Sequence, residues 1–134
     1  MRAKPRYESR SAAVLYAKDV ARVVAFYSTV LGLEVETRHE DHVVLESPMF
    51  QLVVLQIPAH IASGIEISVP PTRRAMGAVK LVFFIASIAN IRATVEAFGG
   101  VMNPTDKEWS FQGFKVCDGL DPEGNVIQFR EHAG

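Results

Sequence analysis

Apolar residues recur along this chain with two different periods, and the switch between them happens twice. Ala12-Ala13-Val14-Leu15-Tyr16-Ala17 is an unbroken apolar run, as expected of a central strand covered on both sides. Lys18-Asp19 breaks it, and Val20, Val23, Val24, Tyr27, Val30 and Leu31 then recur at helical spacing. Asp19 suits the N-cap of that helix, and Gly32 suits the left-handed turn after it. Glu34–Arg38, a polar tip at His39-Glu40-Asp41 and His42–Glu46 read as a meander. Ser47-Pro48 is a turn, and Phe50–Ile57 is the most apolar strand of the first half. The series then restarts: a strand over Val79–Ile85, a helix Ile88–Phe98 capped by Ser87, and a strand Val101–Thr105. Two more strands, about Ser110–Cys117 and Asn125–Arg130, are joined through Asp121-Pro122-Glu123-Gly124, whose residue order suits a type I turn.

The two halves keep one offset of 68 residues, from Asp19 to Ser87 (87−19) and from Gly32 to Gly100 (100−32). The chain thus reads as two copies of a strand–helix–strand–strand–strand unit. The expected organisation is a single domain over 11–134, with a first module at about 11–57, a linker at 58–78 and a second module at about 79–132. Three prolines (Pro58, Pro70, Pro71) and the pair Arg73-Arg74 mark the linker. Two copies have to bury their open faces against each other, which places a ligand site in a cleft between modules. Residues 1–10 are charged and aperiodic and read as a frayed arm.

Composition removes several function classes. At 134 residues the chain is one domain by size. A net charge of −1 gives no reason to expect nucleic acid or an anionic membrane as a partner. No run approaches the roughly 20 apolar residues that span a bilayer. Arg2, Lys4, Arg6 and Arg10 are not followed by the apolar stretch of a secretory signal. The single Cys117 excludes an internal disulfide framework and suits a reducing cytoplasm. Its expected role is that of a small buried apolar residue rather than a nucleophile.

Two stretches carry a family resemblance. Ala25-Phe26-Tyr27 with Leu31-Gly32-Leu33, and Asp121-Pro122-Glu123-Gly124-Asn125-Val126-Ile127, resemble the two signatures of the vicinal oxygen chelate superfamily. That superfamily includes glyoxalase I, extradiol dioxygenases, fosfomycin-resistance enzymes and bleomycin-resistance proteins. The resemblance spans about residues 11–132. It implies an α+β fold of two tandem βαβββ modules forming a curved mixed sheet with helices on the convex side. It also implies closure by two-fold association, hence a homodimer, which fits the exposed edges of an open sheet.

Metal-dependent members of the superfamily hold a divalent ion with side chains at four equivalent positions. Here those positions align with Ala12, Val54, Lys80 and Gln128. Catalytic metals need imidazole or carboxylate donors. Ala and Val offer none, a protonated Lys repels a cation, and an amide is a weak ligand. The expectation is therefore no metal and no other cofactor. Elsewhere, His39-x-x-His42 reads as a solvated hairpin tip, and His60 and His132 have no partner at ligand spacing. Asp118-Gly119-Leu120-Asp121 reads as turn chemistry. No nucleophile elbow or phosphate-binding glycine loop is present.

Strand alternation supplies a map of the concave face. Ala12, Val14 and Tyr16 share it with Lys80, Val82 and Phe84, flanked by Leu52, Val54 and Gln56 and by Val126, Gln128 and Arg130. The ligand-contacting set drawn from it is Ala12, Tyr16, Val54, Lys80, Phe84, Gln128 and Arg130, with Trp109 as a stacking wall. Two readings of Lys80 stand: a partner for an anionic ligand, or a partner for an acid of its own chain. Trp109 could equally serve a hairpin or dimer contact. Three functions fit: a metal-independent binder of an unidentified small organic molecule, an enzyme using Lys80 in place of a metal, or a non-catalytic accessory subunit.

Overall fold

The computed structural model describes residues 10–74 and 76–133; the expected N-terminal arm lies almost wholly outside them. The first module runs β1 (Ser11–Ala17), α1 (Val20–Leu31), β2 (Glu34–Arg38), β3 (His42–Ser47) and β4 (Phe50–Gln56). A short helix α2 (Ala59–Ala62) interrupts the linker. The second module runs β5 (Leu81–Ile85), α3 (Ile88–Ala97), β6 (Val101–Met102), β7 (Trp109–Phe111), β8 (Phe114–Leu120) and β9 (Val126–His132). The strands form two sheets, not one: β1-β4-β3-β2, and β5-β9-β8-β6 with β7 paired to β8. Each is mixed, because β1–β4 and β5–β9 are parallel while the remaining pairs are antiparallel.

Both caps form as the repeat requires. The Asp19 carboxylate accepts the Arg22 N–H at 3.1 Å, and the Ser87 hydroxyl accepts the Asn90 N–H at 3.1 Å. Gly32 closes α1 in the left-handed region, φ 67°. Helix α1 lies against β3 and β4, α3 against β6 and β9, and the two helices touch each other. One hydrophobic core therefore serves both modules, with Phe26, Tyr27, Leu45, Leu52, Val54, Ile88, Ile127 and Phe129 inside it. Close approach is required at Gly100, where an added Cβ would lie 2.6 Å from both the Leu120 carbonyl oxygen and the Phe26 ring.

The Asp-Pro-Glu-Gly-Asn signature is a joint between the modules. Asp121, fully buried, accepts the Tyr27 hydroxyl at 2.8 Å and the Glu123 and Asn125 N–H groups at 2.9 and 3.0 Å. Glu123 turns both carboxylate oxygens onto the start of α1, accepting the Lys18 N–H at 2.9 Å and the Asp19 N–H at 2.7 Å. The Asp19 N–H is one that a helix N-terminus otherwise leaves unpaired, and the Lys18 N–H fixes the residue that leads into it. Burial, then the Asp121 charge, pushes the Tyr27 hydroxyl well above its ordinary range, and burial raises the Asp121 carboxyl.

Three expectations are corrected. The strand placed at Val101–Thr105 stops at Met102, and a 3-10 turn over Thr105–Lys107 follows. The strand placed at Ser110–Cys117 is a hairpin, turning at Gln112-Gly113 with φ 51° and 80°, the geometry of a two-residue type I′ loop. Asp118-Gly119-Leu120 is the end of β8 rather than a turn.

Candidate functional site

The parity map holds for β1, β5 and β9 and fails for β4. In the parallel β1–β4 ladder Ala13 stands beside Leu52 and Leu15 beside Val54. Leu52 and Val54 therefore point where Ala13 and Leu15 point, into the core under α1, and Val54 is 0% exposed. The residues beside Ala12, Val14 and Tyr16 are Gln51, Val53 and Leu55. A shift of one residue turns a whole strand over, so Val54 is withdrawn from the ligand-contacting set. Ala12 and Tyr16 do lie on the open face of the first sheet, where Tyr16 is 57% exposed.

The open face of the second sheet carries a connected polar line. Hairpin register puts Asp118 beside Gln128 and Val116 beside Arg130 on β8 and β9, and β5 adds Val82 beside Gln128 and Phe84 beside Arg130. Lys80, just before β5, donates from Nζ to Asp118 Oδ2 at 2.8 Å. Gln128 Nε2 donates to Asp118 Oδ1 at 3.1 Å, and Arg130 Nε donates to Gln128 Oε1 at 2.8 Å. Lys80, Asp118, Gln128 and Arg130 thus form one hydrogen-bonded series. Of the two readings of Lys80, the geometry favours the one in which it answers an acid of its own chain.

Aromatic rings wall this line. The Arg130 guanidinium carbon sits 5.7 Å from the Phe84 ring centroid and 4.8 Å from that of Phe111. Phe84 meets Phe114 edge-on at 5.1 Å, and Phe114 meets His132 at 5.5 Å. Trp109 stands opposite Val116 on β7 and is half-exposed. Of the expected set the structure therefore gathers Lys80, Phe84, Gln128 and Arg130 on one face, with Trp109 on its flanking strand. Ala12 and Tyr16 share no hydrogen bond or ring contact with that group among the described residues.

Asp118 is the residue that sequence reasoning missed. The signal was available: a hairpin closing over Asp121–Asn125 pairs residues whose numbers sum to 246 (120 + 126), which sets Asp118 opposite Gln128. Reading Asp118-Gly119 as a turn concealed it.

The four positions that would hold a divalent ion do not suit one. Ala12 and Val54 have no donor atom and Val54 faces the core. The Lys80 ammonium is engaged with Asp118, and both ends of the Gln128 amide are hydrogen-bonded. One carboxylate between an ammonium and an amide is not the oxygen and nitrogen set that Mg, Mn, Fe, Ni or Zn requires. Among the described residues no group of three or more His, Cys, Asp or Glu side chains is arranged to hold a metal.

The other candidates take ordinary places. His39 and His42 stack at 4.5 Å on the hairpin tip, and His42 Nδ1 lies 2.7 Å from Asp41, whose carboxyl this contact lowers. Cys117 is fully buried and desolvation raises its thiol, which disfavours the nucleophilic thiolate. A cleft of about 970 Å³ opens between the modules, lined by Met49 and Phe50 together with residues of β5 and α3. Among the described residues its lining carries no charged side chain, and Phe84 is the one member of the expected set that reaches it.

Comparison with known proteins agrees on the architecture. The glyoxalase-like domain family matches residues 12–129. A glyoxalase/bleomycin resistance protein/dioxygenase family enzyme from Burkholderia phytofirmans PsJN superposes with a TM-score of 0.67 at 17% identity, over 90% of this chain and 96% of its own. The fosfomycin resistance protein FosX from Listeria monocytogenes gives 0.66 at 15% identity, over 94% of each chain. A glyoxalase/bleomycin resistance protein from Albidiferax ferrireducens T118 gives 0.62 at 18%, over 91% of this chain and 96% of its own. At these identities the likeness is one of fold. No curated protein sequence matches the chain. No helix among the described residues is long and apolar enough to cross a membrane.

Proposed function

This chain belongs to the glyoxalase-like family, within the vicinal oxygen chelate superfamily, and from that premise we propose that it binds a small organic molecule without a metal, on the open face of its second sheet. The observation that carries this reading is the series Lys80–Asp118–Gln128–Arg130. Two of its members, Lys80 and Gln128, align with positions at which the superfamily places metal ligands. The series engages the Asp118 carboxylate and both ends of the Gln128 amide and, among the described residues, leaves the terminal nitrogens of Arg130 open. Aromatic side chains around a small number of fixed polar groups are the usual makeup of a small-molecule site.

The competing readings are weaker on the same atoms. An enzyme using Lys80 as its acid or base needs an amine free to exchange its proton, and this ammonium is held against a carboxylate 2.8 Å away. An accessory subunit does not call for an aromatic-walled face with an ordered guanidinium. The cleft between the modules has the size for a ligand, but among the described residues it offers no charged group to fix an orientation.

The test is a thermal-shift screen of small metabolites and antibiotics, since a ligand that binds the native state raises its melting temperature. Hits are then mapped by amide chemical shifts. The reading expects the largest changes at β5, β7, β8 and β9 around Lys80, Asp118 and Gln128. Changes confined to α1, Met49 and α3 would move the site to the other cleft and overturn it.

A further inference from the structure

The charges along the polar line do not balance, and the imbalance falls on one residue. Lys80 and Asp118 neutralise each other at 2.8 Å, and Gln128 is neutral. Arg130 remains. Among the described residues it makes no ion pair, and Nε is the one guanidinium nitrogen with a hydrogen-bond partner. Two other cations beside this sheet are answered: Arg92 by Glu108, and Lys115 by Glu108 and Glu131.

Arg130 is also held in place. Its Nε–H is fixed by Gln128, and its flat group lies 4.8 Å from one ring centroid and 5.7 Å from another. A guanidinium anchored at Nε keeps its two terminal nitrogens for a partner. That edge matches the two oxygens of a carboxylate in a bidentate pair. Its orientation is set before any ligand arrives, so little side-chain freedom is lost on binding. The surroundings of that edge are Phe84, 64% exposed, and Phe111, 43% exposed, which offer flat apolar surface.

Resting on the small-molecule reading above, we infer that the ligand is a flat, aromatic-type carboxylate. Its anion pairs with Arg130 and its ring lies against Phe84 and Phe111. Lys80 is not the anion's partner, because Asp118 already holds it.

The probes are 1-naphthoate and its neutral analogue 1-naphthamide, titrated against the intact protein with Trp109 fluorescence and amide chemical shifts as readouts. The inference expects naphthoate to bind more tightly than naphthamide and to weaken as salt rises. R130Q should weaken naphthoate about tenfold or more and leave naphthamide unchanged. R130K keeps the charge but loses the planar fork, and should fall between the two; melting curves of both variants check folding. Equal affinity for the two probes, or naphthoate binding indifferent to R130Q, would overturn the inference while leaving the small-molecule reading in place. Shifts from neither probe on β5, β8 or β9 would overturn the inference, whereas the wider screen alone decides the reading on which it rests.

Discussion

A carboxylate that is 8% exposed and an ammonium whose side chain is 39% exposed lose unequally when one partner is removed. Lys80→Met leaves Asp118 a buried charge answered by one amide, and should cost about 1–2 kcal/mol of stability, a value discounted for the solvent near the lysine. Asp118→Asn leaves an ammonium that can turn to water, and should cost less, about 0.5 kcal/mol. Denaturant titration of both variants measures the difference, and the reverse order would show that Lys80 rather than Asp118 depends on the pair. At this scale the sequence was partly legible. Period-2 alternation put Phe84, Gln128 and Arg130 on one face because β5 and β9 are regular parallel neighbours. Val54 was misplaced because alignment to a repeat does not fix the pairing register of β4 against β1. Asp118 was hidden because Asp-Gly is ordinarily turn chemistry, and here tertiary pairing with β9 overrides that preference.

Among the elements, the first turn of α1 depends on a residue 104 positions away, the distance from Asp19 to Glu123. Glu123→Gln keeps the size but loses one acceptor oxygen, leaving the N–H of Lys18 or Asp19 unanswered. The expected cost is about 1–3 kcal/mol, read as a lower denaturation midpoint; an unchanged midpoint would show that water replaces the carboxylate. The same joint sets an alkaline limit. Tyr27 holds its proton in the folded state well above the ordinary value of 10.0, because it is buried and faces Asp121. Above that pH the unfolded chain releases the tyrosine proton and the folded one retains it. The native state then binds more protons, and its stability, fully present below pH 10, falls as pH rises. Tyr27→Phe should remove that part of the slope, with pH-dependent melting as the measurement; an identical slope in the variant would assign it elsewhere. Element types and both helix caps were legible from apolar period and cap chemistry. The hairpin at Gln112-Gly113 was not, because a non-glycine residue at positive φ leaves little trace in sequence.

At the scale of the whole molecule, β1 and β5 each have a strand neighbour on one side only. Val14, 57% exposed, puts an apolar side chain on β1. Unpaired edges with apolar surface are a liability that a second copy can remove. The expected outcome is a homodimer, with a sedimentation mass near twice the 14.8 kDa of the chain, and with Val14→Lys shifting the mass toward a single chain without lowering helical content. A mass at the single-chain value for the unaltered protein would contradict it. The repeat offset made the two-module plan legible, but not that hydrogen bonding divides the strands into separate sheets around a common core.

The central claim is that side chains rather than a metal furnish this site, and elemental analysis of protein purified without chelator tests it most directly. Far less than one Zn, Ni, Fe or Mn per chain is expected, because Lys80 and Gln128 are already engaged with Asp118. One tightly held ion per chain that disappears in the Asp118→Asn variant would contradict it.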